Sequence, residues 1–220
     1  MTTLDALMAE GHNRLLRRHG GLKQILLLAP AGTEVPESLF ESVNEIIDPF
    51  GMGFFSVGLL TDEGMNFEET FETEASSSAG YTTDTREDLS TTTNTLGATL
   101  QESYNRYVEE VVRGADYSSL EMSEYGEIIY DNPAMPIFRE YRGLALAADG
   151  PPEDQWIMGE YFPALKLSAR DARAWAKGGT IDRPVTFKQF PEDGRISRSF
   201  VGGSGPLKHR EALGFPATSG

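Results

Sequence analysis

The residues that could do chemistry in this chain are carboxylates, three histidines and one serine in a glycine-rich stretch; there is no cysteine. Glu68/Glu69 and Glu109/Glu110 could be drawn as a hydrolase acid–base dyad, which needs two carboxylates held a defined distance apart. With 34 acidic side chains in the chain, adjacent pairs arise by chance, and solvated surface charge is the simpler assignment. His12, His19 and His209 have no ligand-like spacing and no cysteine to help them, so no metal site is expected. Ser204, in Gly202-Gly-Ser-Gly205, lacks the second glycine of a nucleophile elbow and its strand-turn-helix context. Gly51-Met-Gly53-Phe-Phe-Ser-Val-Gly58 lacks the third glycine of a nucleotide fingerprint and leads into a strand rather than a helix. No catalytic residue, cofactor-binding residue or metal ligand is expected, and the chain carries no positive sign of an enzyme.

Charge bounds the partners. The net charge is −15, from 19 basic and 34 acidic residues, which argues against gripping nucleic acid, since phosphate binding needs clustered cations. The absence of cysteine excludes disulfide and thiolate chemistry and fits synthesis in a cytosol. No apolar run approaches the ~18 residues of a spanning helix, so no membrane insertion is expected. The N-terminus has no secretory pattern.

The elements that would position a surface are mostly strands. Residues 137–148 and 156–167 read as a hairpin around the turn formers Asp149-Gly-Pro-Pro-Glu-Asp154. Alternation puts Phe138, Leu144 and Leu146 on one face and Arg139 and Tyr141 on the other. The apolar run Gln24–Ala29 predicts a buried strand. Residues 54–61 and 65–72 predict a second hairpin turning at Thr61-Asp-Glu-Gly64, with Phe67 and Phe71 on one face and Asn66, Glu68, Thr70 and Glu72 on the other. Residues 74–88 predict a long loop, and 90–95 a polar surface strand. A helix over 100–113 is expected from a Thr99/Glu102 capping box and the stripe Leu100, Tyr104, Tyr107, Val108, Val111. Shorter expectations are a helical piece at 37–47, a strand at 127–130, a helical turn at 169–177, and a strand pair 184–190/196–201. The organisation is an N-terminal arm or helix over 1–22, a domain over 23–202, and a C-terminal arm over 203–220.

Several segments in fixed order carry a resemblance. They are Leu26-Leu-Leu-Ala-Pro30 followed by Ala-Gly-Thr33, Phe55-Ser-Val-Gly-Leu-Leu-Thr-Asp-Glu-Gly64 and Gln101-Glu-Ser-Tyr-Asn-Arg106. Phe138-Arg-Glu-Tyr-Arg-Gly143, Tyr161-Phe-Pro-Ala164 and Phe200-Val-Gly-Gly-Ser-Gly-Pro206 complete the series. The collinear series, over residues 24–206, resembles the major tail tube protein (major tail subunit) of long, non-contractile-tailed bacteriophages, especially those of actinobacteria. No single motif is specific, and the first 20 residues and the segment after Pro206 extend beyond the family's pattern.

The resemblance implies a mainly β (α+β) fold, an antiparallel β-sandwich or barrel with one flanking α-helix, a long inter-strand loop and extended terminal arms. It implies a virion protein made in the host bacterial cytoplasm that forms hexameric rings stacked into a tail tube. Genomic DNA would pass transiently and non-specifically through the lumen during ejection, and an acidic lining would repel its phosphates. The implied partners are further copies of itself, the tape measure protein, the tail terminator and distal tail proteins; no cofactor is implied. On this basis Asn66, Glu68, Thr70 and Glu72 are expected to face the lumen. Ser76, Ser77, Tyr81, Thr85 and Arg86 of the long loop are expected to contact a neighbouring subunit, while Arg139 and Tyr141 face either the channel or a neighbour. The rivals are another virion ring protein (tail terminator, connector or decoration protein) and, less favoured, a carboxylate-based hydrolase.

Overall fold

The computed structural model describes residues 16–20, 23–76, 79, 83, 86–102, 104–171 and 177–216. Its strands are β1 (Lys23–Pro30), β2 (Phe40–Ser42), β3 (Glu45–Ile46), β4 (Phe55–Ser56), β5 (Leu60–Ser76), β6 (Arg86–Leu100), β7 (Glu140–Asp149), β8 (Trp156–Arg170), β9 (Arg183–Phe190) and β10 (Arg198–Gly202). Among the described residues the helices are α1 (Arg106–Arg113) and α2 (Ser204–Lys208). The fold is mainly β and antiparallel, with α1 as the flanking helix.

The strand order is β4-β1-β7-β8-β9-β6-β5, with β10 also paired to β8. β1 shows why so apolar a run is a strand: its alternate side chains serve two cores. Leu26 and Leu28 enter one cluster with Leu96, Phe162, Leu165, Phe187 and the helix residues Val108, Val111 and Val112. Leu27 and Ala29 enter the other with Leu39, Phe54, Leu144 and Leu146. The first cluster draws on β1, β7, β8, β9 and β6, so the sheet wraps around it, and β5 approaches β1 across the opening. Each large side chain so buried contributes roughly 1.5–3 kcal/mol.

The hairpin of β7 and β8 is as expected, joined through a 3-10 turn at Pro152–Asp154. Alternation holds within β7, with Tyr141 and Ala145 on one face and Leu144 and Leu146 on the other, but both faces are buried. Phe138 precedes the strand and packs with Tyr141 and Ala145 on the first cluster, whereas Leu144 and Leu146 lie in the second. Tyr141 is therefore a core residue, not a group facing a channel or neighbour. A bulge between the pairs Tyr141↔Leu165 and Gly143↔Phe162 falls at Pro163, which cannot donate to a ladder. It lets Phe162 and Leu165 enter the same core.

Other expectations are corrected. Thr61-Asp-Glu-Gly64 does not turn the chain: β5 runs through it, with a bulge between Leu60↔Leu100 and Met65↔Ala98 and Gly64 at φ 68°. Only Phe55–Ser56 of the 54–61 segment pairs with β1. The 74–88 loop is shorter, because Glu74↔Asp88 and Ser76↔Arg86 extend the ladder and leave 77–85 as the connection. Residues 37–47 form the small β2–β3 pair, not helix. Residues 127–130 form no strand, Ala169 and Arg170 end β8, and 172–176 lie outside the described residues. β9 and β10 do not pair with each other; β10 pairs with the first half of β8 and β9 with the second.

The helix begins later than 100, because Thr99 and Leu100 remain in the ladder opposite Pro184 and Arg183. Asn105 caps it, its side chain accepting from Tyr107 N at 3.0 Å. Glu102 instead accepts the Leu59 N–H at 3.2 Å. Gly114 ends the helix in the left-handed region, φ 63°.

The segment after Gly202 stays on the domain at least to His209. Ser204 N donates to Asn44 Oδ1 at 2.7 Å, and Ser204 Oγ donates to Pro152 O at 2.8 Å. Gly205 sits against the Trp156 indole, where a Cβ would lie 2.0 Å from Nε1. His209 stacks on that ring at 6.3 Å, and the Arg18 guanidinium lies 4.1 Å from its centroid. Buried Trp156 thus gathers segments from both ends of the chain. The expected helix at the N-terminus falls mainly on 1–15, outside the described residues.

Candidate functional site

Asn66, Glu68, Thr70 and Glu72 share one face of β5 and are all exposed. Opposite them on β6 stand Gly97, Thr95, Thr93 and Thr91. Directly opposed residues point to the same side of a sheet, so the register carries this face onward. Thr95 faces Lys188, Lys188 faces Lys166, and Lys166 faces Glu140. The row Glu68–Thr95–Lys188–Lys166–Glu140 crosses five strands on the side away from the first core, since Leu165 and Leu167 flank Lys166 and point inward. Two lysines directly opposite one another repel; carboxylates stand further along the row on either side. The face is therefore polar and mixed in sign rather than uniformly acidic. Lys166 and Lys188 were legible only as the polar members of Leu165-Lys-Leu167 and Phe187-Lys-Gln189.

The same two strands continue beyond the sheet. β9 pairs with β6 only from Thr95 to Leu100. Residues 69–76 and 86–94 therefore form a two-stranded ribbon whose side chains are exposed or, near Thr93 and Asn94, half-buried. Phe67, 51% exposed, stacks on Phe162 at 5.9 Å. Phe71 and Leu89, 58% and 59% exposed, lie further out, with no core beneath them among the described residues. The ribbon is tied internally by Thr73 Oγ1 to Glu87 at 2.5 Å, Ser90 Oγ to Glu72 O at 2.9 Å and an Arg86–Asp88 pair at 2.6 Å. Isolated two-stranded ribbons are marginal in water, and open edges beside exposed aromatics are templates for another chain. Ser76 and Arg86 close the ladder opposite each other, and Ser77, Tyr81 and Thr85 lie outside the described residues.

The residues considered for chemistry have other occupations. Glu109 is not surface charge: it is fully buried, paired with Arg113 one turn along α1 and with Arg183 at the start of β9. The Glu109/Arg113 spacing of four was the available signal. Glu110 accepts from Arg139 Nη1 at 3.2 Å, and Arg139 Nη2 donates to Asp116 at 2.8 Å. Hydrogen bonds from Ser118, then Arg139, hold the Asp116 carboxyl far below its ordinary range. Glu68 and Glu69, being consecutive in a strand, point to opposite faces. Ser204 Oγ donates to Pro152 O and accepts from Gln155 N at 2.9 Å. His209 Nε2 lies 3.2 Å from Asp154 Oδ2, and this bond lowers the Asp154 pKa. The serine and the histidine thus serve separate contacts that fasten α2. Among the described residues no three metal-ligating side chains converge, and no helix is long and apolar enough to cross a membrane.

No protein-family model and no curated protein sequence matches this chain.

Proposed function

We propose that this chain is a structural subunit of a phage tail tube, assembling into stacked hexameric rings whose lumen conducts genomic DNA. The reading is carried by the β5–β6 ribbon, which leaves the sheet with neither edge paired to another described strand and with Phe71 and Leu89 exposed on it. A lone monomer gains nothing from such a ribbon, whereas a ring or stack covers it with a second copy. Two further features support it: the polar outer face continuous with the ribbon, and the collinear motifs over residues 24–206.

In an assembled tube the outer row from Glu68 to Glu140 would line the channel. A surface of threonines, carboxylates and two lysines, in a protein of net charge −15, passes a polyanion without gripping it. The virion location and the tape measure, terminator and distal tail partners belong to the same proposal.

Negative-stain microscopy of concentrated protein tests it. Rings or tubes are expected; dispersed single particles at every concentration, alone and with tail partners, contradict it. Copy number per virion separates a tube subunit, which is abundant, from a terminator or connector, which is not.

A further inference from the structure

At the end of the sheet opposite the ribbon lies a polar cleft of about 340 Å³ lined by Val112, Arg113, Asn132, Arg170, Asp171, Arg183 and Pro184. Three guanidiniums in one cleft are unusual in a chain with 19 basic and 34 acidic residues. Glu109 lies buried beneath, bound to Arg113 and Arg183. Arg170 is the exposed member: its Nη1 donates to the helix carbonyl Val112 O at 2.6 Å, and its guanidinium lies over the Phe138 ring at 5.9 Å. With Asp171 and Glu109 counted against the three arginines, the cleft keeps one formal positive charge.

The ribbon is its complement. Residues 69–76 and 86–94 carry Glu69, Glu72, Glu74, Glu87 and Asp88 against Arg86 alone. The two features lie at opposite ends of β6: Arg86 starts the strand, whereas Leu100 ends it opposite Arg183. Glu74, opposite Asp88, lies roughly 40 Å from Leu100 at ~3.3 Å per residue. Complementary patches at opposite ends of one molecule cannot meet within a copy, and between copies they give a head-to-tail contact that repeats.

We infer that the acidic ribbon of one copy docks against the Arg113/Arg170 cleft of a second copy, joining copies head to tail. This rests on the tube reading and adds the contact that gives the stack its direction.

The test is sedimentation velocity over a concentration series at low and high salt, using full-length wild type, Arg170→Glu, Glu74→Lys and the combined charge swap. Each single swap is expected to raise the concentration needed for assembly by about tenfold or more, and the combination to restore most of it. Added salt should weaken wild-type assembly. Because Arg170 also holds Val112 O, the exposed Glu74→Lys variant gives an answer even if Arg170→Glu misfolds. Wild-type assembly that neither single swap shifts would overturn the ribbon–cleft contact and leave the tube reading standing. Wild type that never assembles would overturn both.

Discussion

Glu109 on α1 and Arg183 at the head of β9 form an ion pair inside the domain, although they lie 74 residues apart in the chain. Arg113 binds the same carboxylate from the next helical turn. The pair fixes α1 against the strands whose outer face is the proposed channel wall. Glu109→Gln keeps the shape and removes the charge between two guanidiniums, so a loss of about 3–5 kcal/mol is expected. At roughly 2–4 °C per kcal/mol for a domain of this size, thermal unfolding followed by circular dichroism should show it. A midpoint unchanged within error would mean that the triad does not clamp the helix.

Gly205 has no room for a methyl group, since Trp156 Nε1 would stand 2.0 Å from it. Gly205→Ala should therefore lift α2 off the ring at a cost of about 1–3 kcal/mol. Trp156 fluorescence should shift toward that of a wetter indole, and protease cleavage near residue 203 should speed up. An unaltered spectrum and cleavage rate would show that the segment does not depend on this contact.

Tyr141 is buried in the first core, and burial pushes its phenol up to about 12. The sign follows from which state loses its proton first. Above pH 10, the ordinary value, the unfolded phenol ionises while the folded one stays neutral. Its contribution to stability is thus intact below pH 10 and is lost as pH rises from 10 toward 12. Burial also raises Tyr117, Tyr130 and Tyr161. Ultraviolet titration should therefore show a late-ionising fraction that loses one phenol in Tyr141→Phe; a late fraction unchanged by that substitution would contradict the burial.

Phe71 and Leu89 lie exposed on the ribbon, with no core beneath them among the described residues. Substituting both with serine should change monomer stability by no more than about 0.5 kcal/mol and yet suppress assembly. Equal unfolding midpoints with fewer particles above monomer size are expected. Undiminished assembly would show that the ribbon's apolar side is not a contact.

Much of the fold was legible where one physical signal acted alone. The Leu26-Leu-Leu run had to be buried on both sides, and the turn formers at 149–154 could only join two strands. The alternation from Asn66 to Glu72 fixed that face, because β5 is regular there. The signal failed where two rules competed. Gly64 reads as a turn, but β5 absorbs it as a bulge. Thr99 reads as a cap, but its ladder to Pro184 outranks the capping box, and Asn105 caps instead. Tyr141 does lie on the face opposite Leu144 and Leu146, but its side of β7 is a second core that also takes Phe138, and alternation cannot tell a second core from an open face. The mixed row across five strands was hidden because Lys188 and Lys166 meet Thr95 and Glu140 only through the register, which the sequence does not state.

The most direct measurement is a reconstruction of assembled tubes by electron microscopy, resolved well enough to trace strands. In such tubes Glu68, Thr95, Lys188, Lys166 and Glu140 are expected to line the channel while the β5–β6 ribbon reaches an adjacent copy. Tubes with that row on the outer wall, or with the ribbon free in solvent, would contradict that arrangement.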